Sequence, residues 1–370
     1  MSKLFSPFAL RGLTLSNRIF VSPMCQYSAV DGKASAWHTV HLGGLALSGA
    51  GMLFIEATAV EAAGRITRGD LGLWDDATER ALAGTLAAVR AVSATPIAIQ
   101  LAHAGRKGSC AVPWQGGRQL ALDAGGWVTD APSALPHNQG DLAPTALDQA
   151  GIDRIIAAFG EAAVRAARLG LDAIEVHGAH GYLIHEFLSP ISNQRTDAYG
   201  GSLANRFRFA LEVFDRVRAQ FPSQKPVGVR LSATDWMEGG WDLAQTVELA
   251  RILKARGADW IDASSGGISP AQKISAGPGY QVPFANAIKH RAGIPTTAVG
   301  LITEPAQAES ILANDDADMV ALARGMLYDP RWGWHAAAEL GTSIQGPPQY
   351  WRAPPHGHSE LFANSGSGSR

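Results

Sequence analysis

The chain has 370 residues, 46% of them hydrophobic, with a formal charge of −2. It carries no basic block, so nucleic acid is not expected as a partner, and no apolar run reaches the ~18 residues that span a bilayer. Only Cys25 and Cys110 occur, which excludes a disulfide framework and a four-cysteine iron–sulfur cluster. The first predicted strand, Ile19–Met24, runs into Pro23-Met24-Cys25-Gln26-Tyr27. His38 and His41 follow in a predicted helix. The second strand is Met52–Ala57. The third, Ile97–Ala102, brings Gln100 and His103 to its end. The stretch Gly105–Thr145, rich in Gly, Pro, Asp and Trp, then reads as an excursion of loops and short pieces. Asp148–Leu169 has helical periodicity, and the fourth strand, Ala173–Val176, leads into His177, His180 and Tyr182. After the helical stretch Ser202–Gln220 comes a fifth strand, Val227–Leu231, containing Arg230. The sixth, Trp260–Ala263, opens into Ser264-Ser265-Gly266-Gly267. The seventh, Thr296–Val299, meets Gly300, and the eighth, Met319–Ala323, meets Arg324-Gly325. Gly346–Arg370 is a Pro-, Gly-, Ser- and His-rich tail whose end, Asn364–Arg370, is expected to be disordered.

Eight strands that read as continuous apolar runs, each followed by an amphipathic stretch, predict a closed parallel (β/α)8 TIM barrel. The expectation is one domain over residues 1–345 with a tail over 346–370. A doubly wound sheet is the structural rival, but it more often shows G-x-G-x-x-G after its first strand, and none occurs here. The N-terminal segment lacks the apolar region of a signal peptide. With the sparse cysteines this predicts a reducing, cytoplasmic setting.

The notable polar residues gather at predicted strand C-termini, where α/β folds build their sites. At His177, His180 and Tyr182 the strand alternation breaks at two glycines, so three polar rings share one turn. Two imidazoles can hold an anionic or carbonyl oxygen, and a phenol can donate a proton. The glycine-rich ends of the late strands are the usual phosphate site of a barrel, to which Arg324 adds a bidentate fork. A phosphate on one side, with Arg230, Gln100, Cys25 and the histidines on the other, fits a flat cofactor over the barrel mouth. FMN meets that description.

Five motifs then carry a family resemblance: Asn17-Arg18-Ile19, Pro23 to Tyr27, Gln100 to Lys107, His177 to Tyr182, and Asn193 to Ser202. Together they resemble the old yellow enzyme family of FMN-dependent ene-reductases, in its bacterial subclass with a cysteine beside the flavin. The likeness runs from Leu4-Phe5 to Gln349-Tyr350-Trp351-Arg352. It implies non-covalent FMN lined by Pro23, Met24, Cys25 and Ala57, with Cys25 near the reactive edge of the ring system. Gln100 and Arg230 would bond the pyrimidine ring, and Ser264, Gly300, Ala323 and Arg324 the phosphate. Ala323 stands where the family more often has glycine and offers the same backbone N–H. The resemblance further implies that His177 and His180 bind the substrate carbonyl, that Tyr182 gives the proton, and that Tyr27 and Lys107 line the pocket. Arg352 matches an arginine that reaches into a neighbouring subunit's site, so a homodimer or homotetramer is implied. NADPH is the implied reductant, NADH being possible. The implied substrate is a small activated alkene.

Three other readings stay open at this stage. His177 and His180, or His38 and His41, could bind a metal, as in a barrel hydrolase; no metal is expected. The chain could bind flavin without turnover, as a redox sensor. Cys25 could be an inert buried thiol.

Overall fold

All eight predicted strands form. In the computed structural model, which describes residues 2–363, they are β1 (Ile19–Val21), β2 (Met52–Ala59), β3 (Ile97–Ala102), β4 (Ala173–Gly178), β5 (Val227–Ser232), β6 (Ile261–Ser264), β7 (Thr296–Ala298) and β8 (Met319–Leu322). Every neighbouring pair is parallel, and β8 closes on β1 through Val320 opposite Ile19. The chain is a (β/α)8 barrel. Each strand is buried along its whole length, because helices cover the outside and packed side chains fill the inside. The connecting helices are α1 (Ala36–Ala46), α2 (Asp76–Arg90), α3 (Gln149–Arg168), a short α4 (Leu183–Leu188), α5 (Leu203–Gln220), α6 (Leu243–Ala255), α7 (Val282–Ala292) and α8 (Pro305–Ala313). Two more, α9 (Arg324–Tyr328) and α10 (Trp332–Glu339), follow β8. Asp148 and Ser202 cap α3 and α5 by accepting from the amides of Gly151 (2.8 Å) and Asn205 (3.3 Å), as N-cap residues do.

The strand ends differ from expectation in places, each for a local reason. β1 stops at Val21 rather than Met24. The Ser22 amide still reaches Leu322 O at 3.0 Å, but Pro23 has no N–H to continue the ladder. β2 runs on to Ala59 through a bulge between Ile55 and Ala57. The bulge leaves Glu56 without a partner in the ladder, and bulges of this kind re-aim side chains beside active sites.

The barrel floor is apolar. Phe20, Phe54, Trp260, Met52 and Met319 fill it, with Leu10 and Leu15 packed beneath from the antiparallel hairpin Phe8–Leu10/Leu13–Leu15. Phe54 lies 5.4 Å from Phe20 and 6.3 Å from Trp260, centroid to centroid. Gly228 makes room for the indole: a Cβ there would fall 2.2 Å from Trp260 Cε2. Replacing Trp260 with alanine should therefore lower unfolding free energy by about 3–5 kcal/mol, read from urea denaturation; a loss below about 1 kcal/mol would mean that the floor collapses around the gap. A floor sealed in this way leaves the C-terminal mouth as the place for a site.

The excursion after β3 crosses that mouth. Its Asp130 is held by Arg154 of α3, Nη2 to Oδ2 at 2.8 Å. The segment after α10 packs through Ile344, Leu361 and Phe362 on Trp334. The expectation for Asn364–Arg370 falls outside the described residues. Among the described residues, no helix is long and apolar enough to cross a membrane.

Candidate active site

Strand register sets the lower layer of the mouth. Ala57 stands opposite Gln100, Gln100 opposite Glu175, and Arg230 opposite both His177 and Asp262. Gln100 Nε2 donates to Glu175 Oε1 at 2.7 Å. Arg230 Nε lies 3.4 Å from Asp262 Oδ2, too poorly aligned to count as a hydrogen bond, so this buried N–H is left unsatisfied. Burial first, then repulsion from Asp262, raises the Glu175 carboxyl; burial also raises Asp262. Two acids face one guanidinium, and burial favours the protonated form of both.

Above this layer the chain turns. His180 and Gly181 both take left-handed backbone, with φ of 61° and 74°. Such strain in a non-glycine residue persists only where its surroundings over-determine it. The His180 amide donates to Ser232 Oγ at 2.9 Å, and its Nε2 sits 2.6 Å from Ser264 Oγ. Lys107 Nζ donates to His180 O at 2.8 Å and Gly267 O at 3.2 Å. Gly267 must be glycine, since its φ is 98° and a Cβ would fall 2.3 Å from the His180 carbonyl carbon. The rings converge: His177 lies 5.1 Å from His180 and 5.2 Å from Tyr182. His177 Nδ1 is buried with no partner. His180 and Tyr182 keep a partly exposed face while their ionisable ends are enclosed. Burial first, then Arg230, pushes both imidazoles well below their usual range, and burial raises the Tyr182 phenol. The site therefore presents two neutral imidazoles and a protonated phenol. That set can hydrogen-bond an oxygen that gains negative charge and hand over one proton.

The wall from Pro23 to Tyr27 is shaped by the β2 bulge. Glu56 Oε1 accepts from the Gln26 amide at 3.1 Å, and Gln26 Nε2 donates to Met24 O at 2.8 Å. Tyr27 takes φ of 51° and meets Trp114 of the excursion edge-on at 6.1 Å. Half-buried Cys25 has its thiol pushed up by burial, then by Asp70 and Glu56, so it stays a thiol. Glu56 itself is raised to about 8, chiefly by burial. A carboxyl raised in the folded state binds its proton more tightly there than unfolded. Its contribution to stability is full below the unfolded value of 4.5 and is lost as pH rises towards 8. Glu56→Gln should thus flatten the fall in stability between those limits. Urea midpoints measured across that range check this, and an unchanged slope would refute it.

On the far side, Ser265 Oγ donates to Gln281 Oε1 at 2.6 Å, and Gln281 Nε2 donates to Val299 O at 3.0 Å. Gly300 has φ of 123°. It follows β7 as Ala323 and exposed Arg324 follow β8, and pairing of Ala298 with Val320 makes these ends neighbours. A cavity of about 260 Å³ is lined by Tyr27, Ile66, Thr67, Lys107, Cys110 and His137. A cleft of about 740 Å³ at the barrel base, lined by Asn17, Pro96 and Ile344, holds none of the site residues.

The structure thus gathers His177, His180, Tyr182, Lys107, Ser264, Gln100, Arg230 and Ala57 at one mouth. Two placements sharpen the expectations. Ser264 stands against His180, and Lys107 is tied to the turn as well as lining the cavity. Arg352 is exposed on the tail beside Trp351 and Tyr350, which pack on Trp334 and its neighbours, so it does not join the mouth of its own chain.

Glu56, Glu175 and Asp262 escaped the sequence reading, although a lone acid inside each of three apolar strands was a visible signal. His185 and Asp235, behind the turn, gave none. Glu61, His103 and Asp130 place possible ligand atoms within 4.8 Å of one another. His103 Nδ1, however, accepts the Gly105 amide, which puts the ring proton on Nε2, 3.0 Å from Glu61 Oε1. Arg154 pairs with both acids. This is a hydrogen-bonded strut rather than a metal cage.

Comparison with known proteins decides the family. Residues 3–342 match the model of the NADH:flavin oxidoreductase / NADH oxidase family. The chain belongs to the old yellow enzyme family. It is an FMN-dependent oxidoreductase. It is 46% identical to an NADPH dehydrogenase of Geobacillus thermodenitrificans, covering 94% of this chain and 98% of that one. It is also 43% identical to the NADH:flavin oxidoreductase FG08077 of Gibberella zeae, over 93% and 87% of the two chains. Among solved structures, morphinone reductase superposes with a TM-score of 0.76 at 29% identity, covering 94% of this chain and 92% of that one.

Proposed function

We propose that this chain is an ene-reductase that takes hydride from NADPH, or NADH, and delivers it to an α,β-unsaturated carbonyl or nitro compound. The observation that carries the reading is the trio of neutral His177, neutral His180 and protonated Tyr182, facing a layer that includes Arg230. The residues suit non-covalent FMN. Arg230, whose Nε–H is unsatisfied, and Gln100, whose Nε2 is oriented by Glu175, would bond a pyrimidine ring, and Gly300, Ala323 and Arg324 would hold a phosphate. Ser264, within reach of His180, would serve either neighbour. Pro23, Met24, Cys25 and Ala57 would wall the ring system. When bound, FMN supplies hydride uptake and release, and the protein supplies position and electrostatics.

The chain's own residues do the rest. His177 and His180 donate to the substrate oxygen as charge builds there; because both are neutral, they polarise it without protonating it. Tyr182 gives its proton to the α-carbon. Tyr27 and Lys107 border the space the alkene enters. Donor and acceptor use one mouth in turn, which gives ping-pong kinetics. Arg352 would act only at a neighbouring subunit's mouth, in a homodimer or homotetramer. The lack of a disulfide framework fits a reducing, cytoplasmic setting.

The visible spectrum of the purified protein, recorded without oxygen before and after NADPH, tests the reading. Flavin bands should bleach and return on adding an activated alkene. Bands that persist would point to a sensor, and no flavin bands after incubation with FMN would overturn the assignment.

A further inference from the structure

The turn that carries His180 and Tyr182 is held from behind by a pair that the mechanism above does not use. All six residues of α4 are buried, and its His185 is 0% exposed. The Gly181 amide donates to His185 Nδ1 at 2.9 Å. A ring nitrogen that accepts carries no proton, so this imidazole is neutral with its hydrogen on Nε2. Nε2 lies 2.9 Å from Oδ1 of Asp235, also 0% exposed. The contact is off the line of a good hydrogen bond and acts as a close electrostatic pairing. Asp235 is itself fixed, its Oδ2 accepting from Ser189 Oγ at 2.6 Å and the Trp241 amide at 2.7 Å.

The two functional ends of the turn are not equally secured. His180 has its own anchors at Ser232, Ser264 and Lys107. Tyr182 follows the Gly181 peptide directly, and its amide makes only a long 3.2 Å bond to Ala179 O. On its other side Tyr182 O accepts from the Glu186 amide of α4 at 2.8 Å, so the Gly181 peptide and α4, both tied to His185, set where the phenol points. We infer that His185, backed by Asp235, is a positioning residue that anchors the Gly181 amide and so holds the Tyr182 hydroxyl where the proton is delivered. The inference rests on the reading of Tyr182 as the proton donor. Buried carboxylate–imidazole pairs orient reacting groups in this way elsewhere.

The test uses the FMN-loaded protein and three variants. H185F removes both nitrogens at similar volume, H185Q keeps an oxygen able to accept from Gly181, and H185N is too short to reach it. Flavin reoxidation by 2-cyclohexenone should slow by roughly 10²-fold in H185F and H185N. H185Q should recover to within about threefold of wild type, and flavin reduction by NADPH should stay within about threefold in every variant. Affinity for 4-hydroxybenzaldehyde, a phenolate probe of His177 and His180, should hold throughout. In wild type, 15N NMR should show Nδ1 of His185 unprotonated.

Equal loss in both half-reactions, parallel loss of phenolate affinity, no rescue by H185Q, or a protonated Nδ1 would each overturn the inference. If H185F does not fold, the contrast between H185Q and H185N decides. Failure of the functional reading is distinguishable, because wild type itself would then not be bleached by NADPH or reoxidised by the alkene.

Discussion

Tyr182→Phe should slow alkene reduction by roughly 10²–10⁴-fold, the usual worth of a placed general acid, while leaving flavin reduction by NADPH near its wild-type rate. The asymmetry follows from proton accounting. Hydride uptake from NADPH asks nothing of the phenol, whereas saturating a C=C bond needs a proton at the α-carbon. Phenylalanine keeps the ring against His177, 5.2 Å away in the native protein, and against Lys107, whose Nζ lies 5.0 Å from the Tyr182 centroid. Packing is then conserved and only the hydroxyl is lost. Burial holds the phenol protonated well above its usual range, so wild-type alkene reduction should show no loss through tyrosine ionisation up to about pH 10. Anaerobic stopped-flow measurement of the two half-reactions decides. Equal slowing of both would remove Tyr182 from the role of proton donor.

Replacing both His177 and His180 with alanine should cost more broadly. Each is a donor to developing charge, and loss of one such donor typically lowers turnover by about 10²–10³-fold. The pair should be less than additive, since the rings lie 5.1 Å apart and serve one oxygen. Phenolate binding should weaken in parallel, because the same donors face the ligand's oxygen. Burial and Arg230 keep both rings neutral, so their depressed pKa values place the loss of the neutral form below the usual histidine range. Activity should accordingly show no histidine limb between about pH 8 and pH 6. A double variant with unchanged phenolate affinity would sink the assigned role, as would a wild-type limb near pH 6.5 that disappears in it.

Much of the barrel was legible because its signal is local. Parallel strands buried on both faces must be apolar throughout, so runs such as Met52 to Ala57 and Ile97 to Ala102 declare themselves. The caps at Asp148 and Ser202 mark their helices equally plainly. The turn from His177 to Tyr182 was legible for the opposite reason: three polar rings beside two glycines are hard to reconcile with a core. Less could be read where a residue's meaning depends on a partner far along the chain. Lys107 reads as a pocket residue and lines the mouth cavity, but no local pattern shows that it also holds His180 O across 73 positions. Ser264 reads as a phosphate ligand, and nothing local shows that its hydroxyl also stands 2.6 Å from His180.

Residue type and spacing, which act over a few neighbours, were enough to give eight parallel strands and a turn of three polar rings at the mouth. The charge states and the supports came from the closed fold alone. Burial and Arg230 make His177 and His180 neutral, burial raises the Glu175 carboxyl, and a one-residue bulge turns Glu56 onto the Gln26 amide. His185 meets the Gly181 amide four residues back, but its Asp235 partner lies on a different βα unit. Desolvation and cross-strand register are properties of the closed barrel, and no short stretch of chain contains them.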